Sequence, residues 1–252
     1  MRKTVVTGSA SGIGRAVAQA CRERGDRVIG IDRRDADIIA DLSNHEGRNT
    51  ALMAVKQAFP DRVDTLVTCA GIGAGDADVM TGVNYFGTVD LAQGLHSLLA
   101  GSASPRVVAI ASTAVMQPAC DALVKACLAG DEGSAKSLAR QFAEQAYAST
   151  KQAVAAWVRK TSVADAWTGP GILINAVAPG VVETAMTSDV LQADKGISWL
   201  NTHSPMRLGR HAQPEEVARL IAFLGGADNS YMVGQIIFCD GGANATLRPS
   251  EI

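Results

Sequence analysis

Short runs rich in apolar and β-branched residues alternate along the chain with longer stretches in which apolar residues recur at helical spacing. The runs Lys3–Thr7, Arg27–Ile31, Ile38–Ala40, Val63–Cys69, Arg106–Ala111, Ile172–Val177 and Gln235–Cys239 carry too few polar positions to leave one face in water. Each therefore predicts a strand buried on both sides, as in a parallel sheet covered by helices. Between them, 15–24, 43–58, 83–99, 147–167 and 214–224 have the period and end signals of helices. Gly25 stands at a C′ position, Ser43 with Glu46 forms a capping-box pattern, and Pro214 followed by Glu215 and Glu216 suits a first turn. Such alternation predicts an α/β fold. We expect one doubly wound domain over residues 1–252, with a mostly or wholly parallel sheet of about seven strands.

Two stretches stand outside the alternation. Between Ser112 and Tyr147, Pro118–Leu128 and Ser134–Ala146 read as two helices broken at Gly130, an insertion over about 115–146. Lying between a strand end and the next helix, it is expected at the mouth of any site there. Residues 185–210 have no clean period yet carry Leu191, Trp199, Leu200 and Met206, which suits either a surface loop or an apolar lid over a ligand.

Composition narrows the function classes. With 47% hydrophobic residues in 252 the chain can bury a sizeable core, and a formal charge of -2 gives no electrostatic reason to expect nucleic acid or a membrane surface. No apolar run is long enough to span a bilayer, and the start M-R-K-T-V-V-T-G has no signal-peptide pattern. The five cysteines are scattered without C-x-x-C spacing, which predicts reduced core thiols and a cytoplasmic protein. The four histidines are equally scattered, and no metal is expected.

The chemistry begins at T-G-S-A-S-G-I-G, Thr7 to Gly14, between a strand and a helix. Glycines there permit a tight turn and close approach of backbone to a pyrophosphate seated on the helix N-terminus. Asp32 ends the next strand, 18 positions after Gly14, where an acid can accept from an adenosine ribose. Its carboxylate repels a 2′-phosphate, so NAD is favoured over NADP, although Arg33 and Arg34 pull the other way. Gly71 ends a strand, as a plain turn or as a point of close approach, and Asn84 stands where a helix cap is the ordinary explanation. Ser112 is delivered at the carboxyl end of another strand, where open α/β sheets bind ligands. In Y-A-S-T-K, Tyr147 and Lys151 lie one helical turn apart on one face. A cation beside a tyrosine favours the phenolate and tunes it for proton transfer to or from an alcohol.

Taken in order, T-G-S-A-S-G-I-G, Asp32, Asp41-Leu42, C-A-G, Asn84, Ser112, Y-A-S-T-K, Pro179-Gly180 with Thr184, and the terminal D-G-G resemble the short-chain dehydrogenase/reductase family over essentially the whole chain. The resemblance implies an enzyme with a Rossmann-type fold and NAD(P) as cofactor. It implies that Tyr147 is the acid/base, that Lys151 lowers its pKa and holds the nicotinamide ribose, and that Ser112 donates to the substrate oxygen. Asn84 would hold a water linking Lys151 to solvent. Gly8, Ser11, Gly12, Ile13 and Gly14 would cradle pyrophosphate, Asp41 and Leu42 the adenine, Ala70 and Gly71 the adjoining ribose, and Val182 and Thr184 the carboxamide. The 13 positions from Gly71 to Asn84 are fewer, and the 35 from Ser112 to Tyr147 more, than is usual in the family. Both departures look like its bacterial 3α-hydroxysteroid dehydrogenase/carbonyl reductase branch, which implies a steroid or other hydrophobic ketone as substrate. A non-steroid secondary alcohol is the alternative, and a dinucleotide-binding module without catalysis a remote one. Family members are commonly dimers or tetramers through the helices near Asn84 and Tyr147. Because the insertion obstructs that surface, we expect a homodimer through residues 214–239 instead.

Overall fold

Seven parallel strands make one sheet in the order β3-β2-β1-β4-β5-β6-β7. They are β1 (Lys3–Thr7), β2 (Arg27–Asp32), β3 (Ile38–Ile39), β4 (Thr65–Thr68), β5 (Arg106–Ile110), β6 (Leu173–Pro179) and β7 (Ile236–Cys239). The computed structural model describes residues 1–192, 202 and 204–250. Trp199 and Leu200, of the segment read as either a surface loop or a lid, fall outside these. Among the described residues no helix is long and apolar enough to cross a membrane.

Alternate residues of the strands point to opposite layers, and both layers are apolar. Val6, Val67, Val108 and Val177 pack with Ala16, Val17 and Cys21 of α1 (Gly12–Glu23) and with Val217 and Ile221 of the Pro214–Leu224 helix. Val5, Leu66, Val107 and Ile174 face the other layer, with Ala51 and Val55 from α2 (His45–Ala58). The strand order reverses between β1 and β4, so the carboxyl ends of these strands open a crevice.

The structure redraws several boundaries. The α2 N-cap is Asn44, whose Oδ1 accepts from Gly47 N at 2.9 Å, rather than Ser43. Gly47 sets this register, because a Cβ there would lie 1.9 Å from Asp41 O. The helix expected over 83–99 begins earlier and is broken. Asp76 caps α3 (Ala77–Thr81) by accepting from Asp78 N and Val79 N, a π turn follows over Gly82–Phe86, and α4 (Gly87–Gly94) and α5 (His96–Ala100) continue. Asn84 therefore sits in the π turn and not in a helix's first turn, so the cap reading fails. Gly82 supplies the reason, since a Cβ there would lie 2.1 Å from Ser43 O and the chain must bulge around that contact.

Within the insertion, α6 (Asp121–Leu128) and α7 (Glu132–Gln141) are separated by Gly130 at φ +75°. Asp131 caps α7, and α8 (Ala143–Thr161) starts at Ala143, four residues before Tyr147. The chain expected to be helical to Trp167 breaks after Thr161. Trp167 lies in a four-residue helix, Asp165–Thr168, edge-on to His96 and Trp157. A C-terminal helix, Ala243–Leu247, was not among the sequence expectations.

Candidate active site

A cleft of about 690 Å³ opens at the carboxyl ends of β1, β2, β4, β5 and β6. The glycine turn forms its floor. Gly8 and Gly12 have φ of +68° and +50°, values that favour glycine. A Cβ on Gly8 would lie 2.8 Å from Ala70 N, and one on Gly14 only 2.2 Å from Gly8 O. Both clashes are with backbone, so the absence of side chains is what lets α1 seat its N-terminus against the turn. Ser11, Gly12, Ile13 and Gly14, the start of α1, border the cleft. Such a cradle of backbone at a helix N-terminus fits the pyrophosphate of a dinucleotide.

One wall is the end of β2. Asp32 Oδ2 accepts from Ala10 N at 3.1 Å and Oδ1 from Arg33 N at 2.7 Å, so the carboxylate is fixed between the glycine turn and the next loop. Asp41 and Leu42 continue the wall, Ala70 and Gly71 lie beneath, and Val182 and Thr184 close the side nearest β6. A Cβ on Gly12 would meet Thr184 Cγ2 at 3.1 Å, so turn and loop nearly touch. The residues expected around a dinucleotide thus share one cleft.

At the other end stand Ser112, Tyr147 and Lys151. Ser112 follows β5 and caps the short Thr113–Met116 turn, its Oγ accepting from Ala114 N at 3.1 Å. Lys151 is 5% exposed, and its Nζ donates to Ile110 O at 2.9 Å while lying 5.8 Å from the centroid of the Tyr147 ring. Burial pushes the Lys151 ammonium down to about 8. Burial also raises the Tyr147 phenol, and a hydrogen bond with Ser112 pulls it back. The lowering expected from Lys151 is not among the influences on the phenol, where withdrawal from water dominates and keeps it protonated at neutral pH.

Asn84 does not border the cleft. Its Oδ1 accepts from Ile72 N at 2.9 Å, and its Nδ2 donates to Ile72 O at 3.0 Å and to Thr150 Oγ1 at 3.2 Å. It clamps the end of β4 to α8 beside Lys151. Gly71 permits this, because a Cβ there would lie 3.1 Å from Asn84 Oδ1 and 3.6 Å from Lys151 Nζ. The open question at Gly71 resolves as close approach, by those two side chains.

The insertion is not at the mouth. Among the described residues, none from 115–146 borders the cleft. Leu123, Cys127, Ala135 and Ala139 are fully buried in the same apolar core as α8. Arg140 pairs with Asp78, tying α7 to α3. Two amphipathic helices must bury their stripes somewhere, and the flank of α3 and α8 offers the apolar partner that a solvent-filled mouth does not. The cleft takes further apolar lining from Ile72, Val79, Val83 and Met186, which the sequence reading did not single out. A Cβ on Gly73 would lie 3.3 Å from Met186 Sδ and 4.0 Å from the Tyr147 ring, so Met186 and the ring both approach Gly73. The I-G after C-A-G and the lone Met after Thr184 were signals for this lining, but only the folded chain brings them together. Among the described residues no group of three His, Cys, Asp or Glu side chains could hold a metal.

A family model described as enoyl-(acyl carrier protein) reductase matches residues 8–244. The chain is 38% identical to the 3-alpha-hydroxysteroid dehydrogenase/carbonyl reductase of Comamonas testosteroni over 98% of both chains. It is 34% identical to the cis-4-hydroxycyclohexanecarboxylate dehydrogenase of Sinomonas cyclohexanicum over 97% of both. The crystal structure of the 3-alpha-hydroxysteroid dehydrogenase from Pseudomonas sp. B-0831 complexed with NADH superimposes with a TM-score of 0.92 at 40% identity, covering 99% of this chain and 100% of that one. With these likenesses running through the glycine turn, Asp32 and the Tyr147 helix alike, the chain belongs to the short-chain dehydrogenase/reductase family and is an oxidoreductase.

Proposed function

We propose that the protein interconverts 3α-hydroxysteroids and 3-oxosteroids with NAD(H), and reduces other hydrophobic ketones and aldehydes. The observation that carries this reading is the convergence of Ser112, Tyr147 and Lys151 at one end of a cleft whose other end holds Asp32, with Ile72, Val79, Val83 and Met186 adding apolar lining to the same cleft. The steroid dehydrogenases among its relatives support the substrate class.

Bound in the cleft, the nicotinamide supplies or accepts the hydride. Tyr147 gives its phenolic proton to the carbonyl oxygen in reduction and takes one from the alcohol in oxidation. Ser112 Oγ donates to the same oxygen, where negative charge develops. Lys151 steadies the phenolate electrostatically and binds the nicotinamide ribose. Asn84, by clamping Ile72 and Thr150, holds the start of a proton path from Lys151. Asp32 accepts from the adenosine ribose and disfavours a 2′-phosphate, so NAD is preferred. Arg33 and Arg34, exposed at the rim, pull toward a 2′-phosphate, and the Asp32 carboxylate between them and the glycine turn leaves NADP as the poorer cofactor.

A substrate panel run with NAD and NADP in parallel tests this. Androsterone with NAD should give NADH, with NADP far slower. Fast turnover of short alcohols or sugars and none of steroids would sink the steroid part. A second reading, a cyclic but non-steroid secondary alcohol, is favoured by the hydroxycyclohexanecarboxylate relative and belongs on the same panel. Dinucleotide binding without redox chemistry on any carbonyl would point to a binding module.

The free thiols suit a cytoplasmic setting. We further propose a homodimer through the Pro214–Leu224 helix and β7. The insertion covers the flank of α3 and α8, whereas Phe223 is exposed and β7 is an edge strand only partly covered. Phe223→Asp should yield a monomer in analytical ultracentrifugation, and an unchanged dimer would place the interface elsewhere.

A further inference from the structure

We propose that the insertion helix α7 buttresses the adenine end of the cleft, so that Glu132 and Lys136 act with Arg48 as positioning residues that set dinucleotide affinity. The proposal rests on reading Asp41 and Leu42 as the adenine border.

Asp41, Leu42 and Ser43 form a strap between β3 and α2, of which Asp41 and Leu42 border the cleft and Ser43 is buried behind it. Two cations reach it from behind. Arg48 of α2 is 1% exposed, and its Nη1 donates to Leu42 O at 3.3 Å. Lys136 of α7 donates from Nζ to Ser43 O at 3.2 Å. Glu132 joins the two: its Oε2 lies 2.5 Å from Arg48 Nη2 and its Oε1 2.7 Å from Lys136 Nζ. Asp90 of α4, with Oδ2 at 2.7 Å from Arg48 Nε, completes the neutralisation of the buried guanidinium. From below, Gly82 and Gly87 let the π turn and the start of α4 press against the strap, where Cβ atoms would lie 2.1 Å from Ser43 O and 3.2 Å from Leu42 Cβ.

The strap is thus held on one side by the π turn and on another by α7, while its outer side faces the cleft. A buried guanidinium keeps its position only while its acids are present. Withdrawing Glu132 or Lys136 therefore frees the strap toward the cleft without touching the glycine turn, Ser112, Tyr147 or Lys151. The extra helices that looked like a cover for substrate thereby gain a different task, at the opposite end of the cleft.

Titrations of ADP-ribose, NADH and reduced nicotinamide mononucleotide test this, since only the first two reach the strap. Loss of one charge-assisted bond, partly relaxed, should weaken ADP-ribose and NADH about fivefold in Lys136→Met. Glu132→Gln should act in the same direction, Lys136→Arg should restore binding, and the mononucleotide should bind all variants as it does wild type. Equal ADP-ribose affinity in wild type and Lys136→Met would overturn the proposal. So would an equal loss for ADP-ribose and the mononucleotide, which would mean general loosening. A wild type that binds NADH but not ADP-ribose would sink the adenine reading itself, and the proposal with it.

Discussion

Tyr147→Phe should lose about 10³-fold in kcat/KM in both directions while keeping the fold and the affinity for dinucleotide, because it deletes one oxygen that exchanges the proton. The ring is retained, and so is its packing between Gly73 and Lys151. Burial holds the phenol above its ordinary value, so at neutral pH it is protonated and suited to reduction. Oxidation needs the phenolate. Its rate should therefore rise as pH goes from neutral into the alkaline range, while reduction stays level until the pH approaches the raised value of the phenol and falls only beyond it. Steady-state rates in both directions across pH, with a binding titration for cofactor, check all three statements. Near wild-type turnover in Tyr147→Phe would remove the acid/base assignment, and an oxidation rate that fell with rising pH would remove the protonation argument.

Gly14→Ala should cost roughly 2–3 kcal/mol of stability and about 10²-fold in kcat/KM for the dinucleotide. A Cβ at this position would lie 2.2 Å from Gly8 O and 2.6 Å from Gly8 C, well inside contact distance, with backbone rather than a movable side chain. Relief requires α1 to move off the turn, which carries its N-terminus away from the pyrophosphate site. Thermal unfolding and initial rates at varied NAD measure the two losses separately. Gly25→Ala is the contrast: nothing lies within 4 Å of a Cβ there, and only the φ of +92° penalises it. That variant should lose stability alone. Equal effects of the two substitutions on NAD kinetics would contradict the role given to close packing at Gly14.

Much of the site was legible because it is written in local rules. The glycine turn needs only its own backbone and the next helix, and Asp32 needs only to end the following strand. Ser112, Tyr147 and Lys151 were legible for the same reason, each tied to a strand end or to one turn of one helix. Asn84 was named but placed in the wrong setting. Nothing local distinguishes a helix's first turn from a π turn, and the bulge follows from Gly82 meeting Ser43 across the fold. The boundary at Ser43 moved to Asn44 through Gly47 against Asp41, again a contact between segments.

The residues around Tyr147 show the same division. The Tyr147–Lys151 spacing places both side chains on one face, and the structure keeps them there. Their proton affinities follow from depth instead, with burial lowering Lys151 and raising Tyr147 against the expectation drawn from the pair alone. Pairing is a property of sequence spacing, and solvent access is a property of everything packed around the pair.

By itself the sequence determined a seven-stranded parallel sheet, a dinucleotide turn with its acid, and the Ser–Tyr–Lys set, because strand burial, glycine conformation and helical spacing act over a few residues. Only the tertiary structure decided where the insertion goes. Its helices carry apolar stripes that any apolar surface could bury, and the flank of α3 and α8, with Arg48 waiting for Glu132, was the surface that the rest of the fold left open.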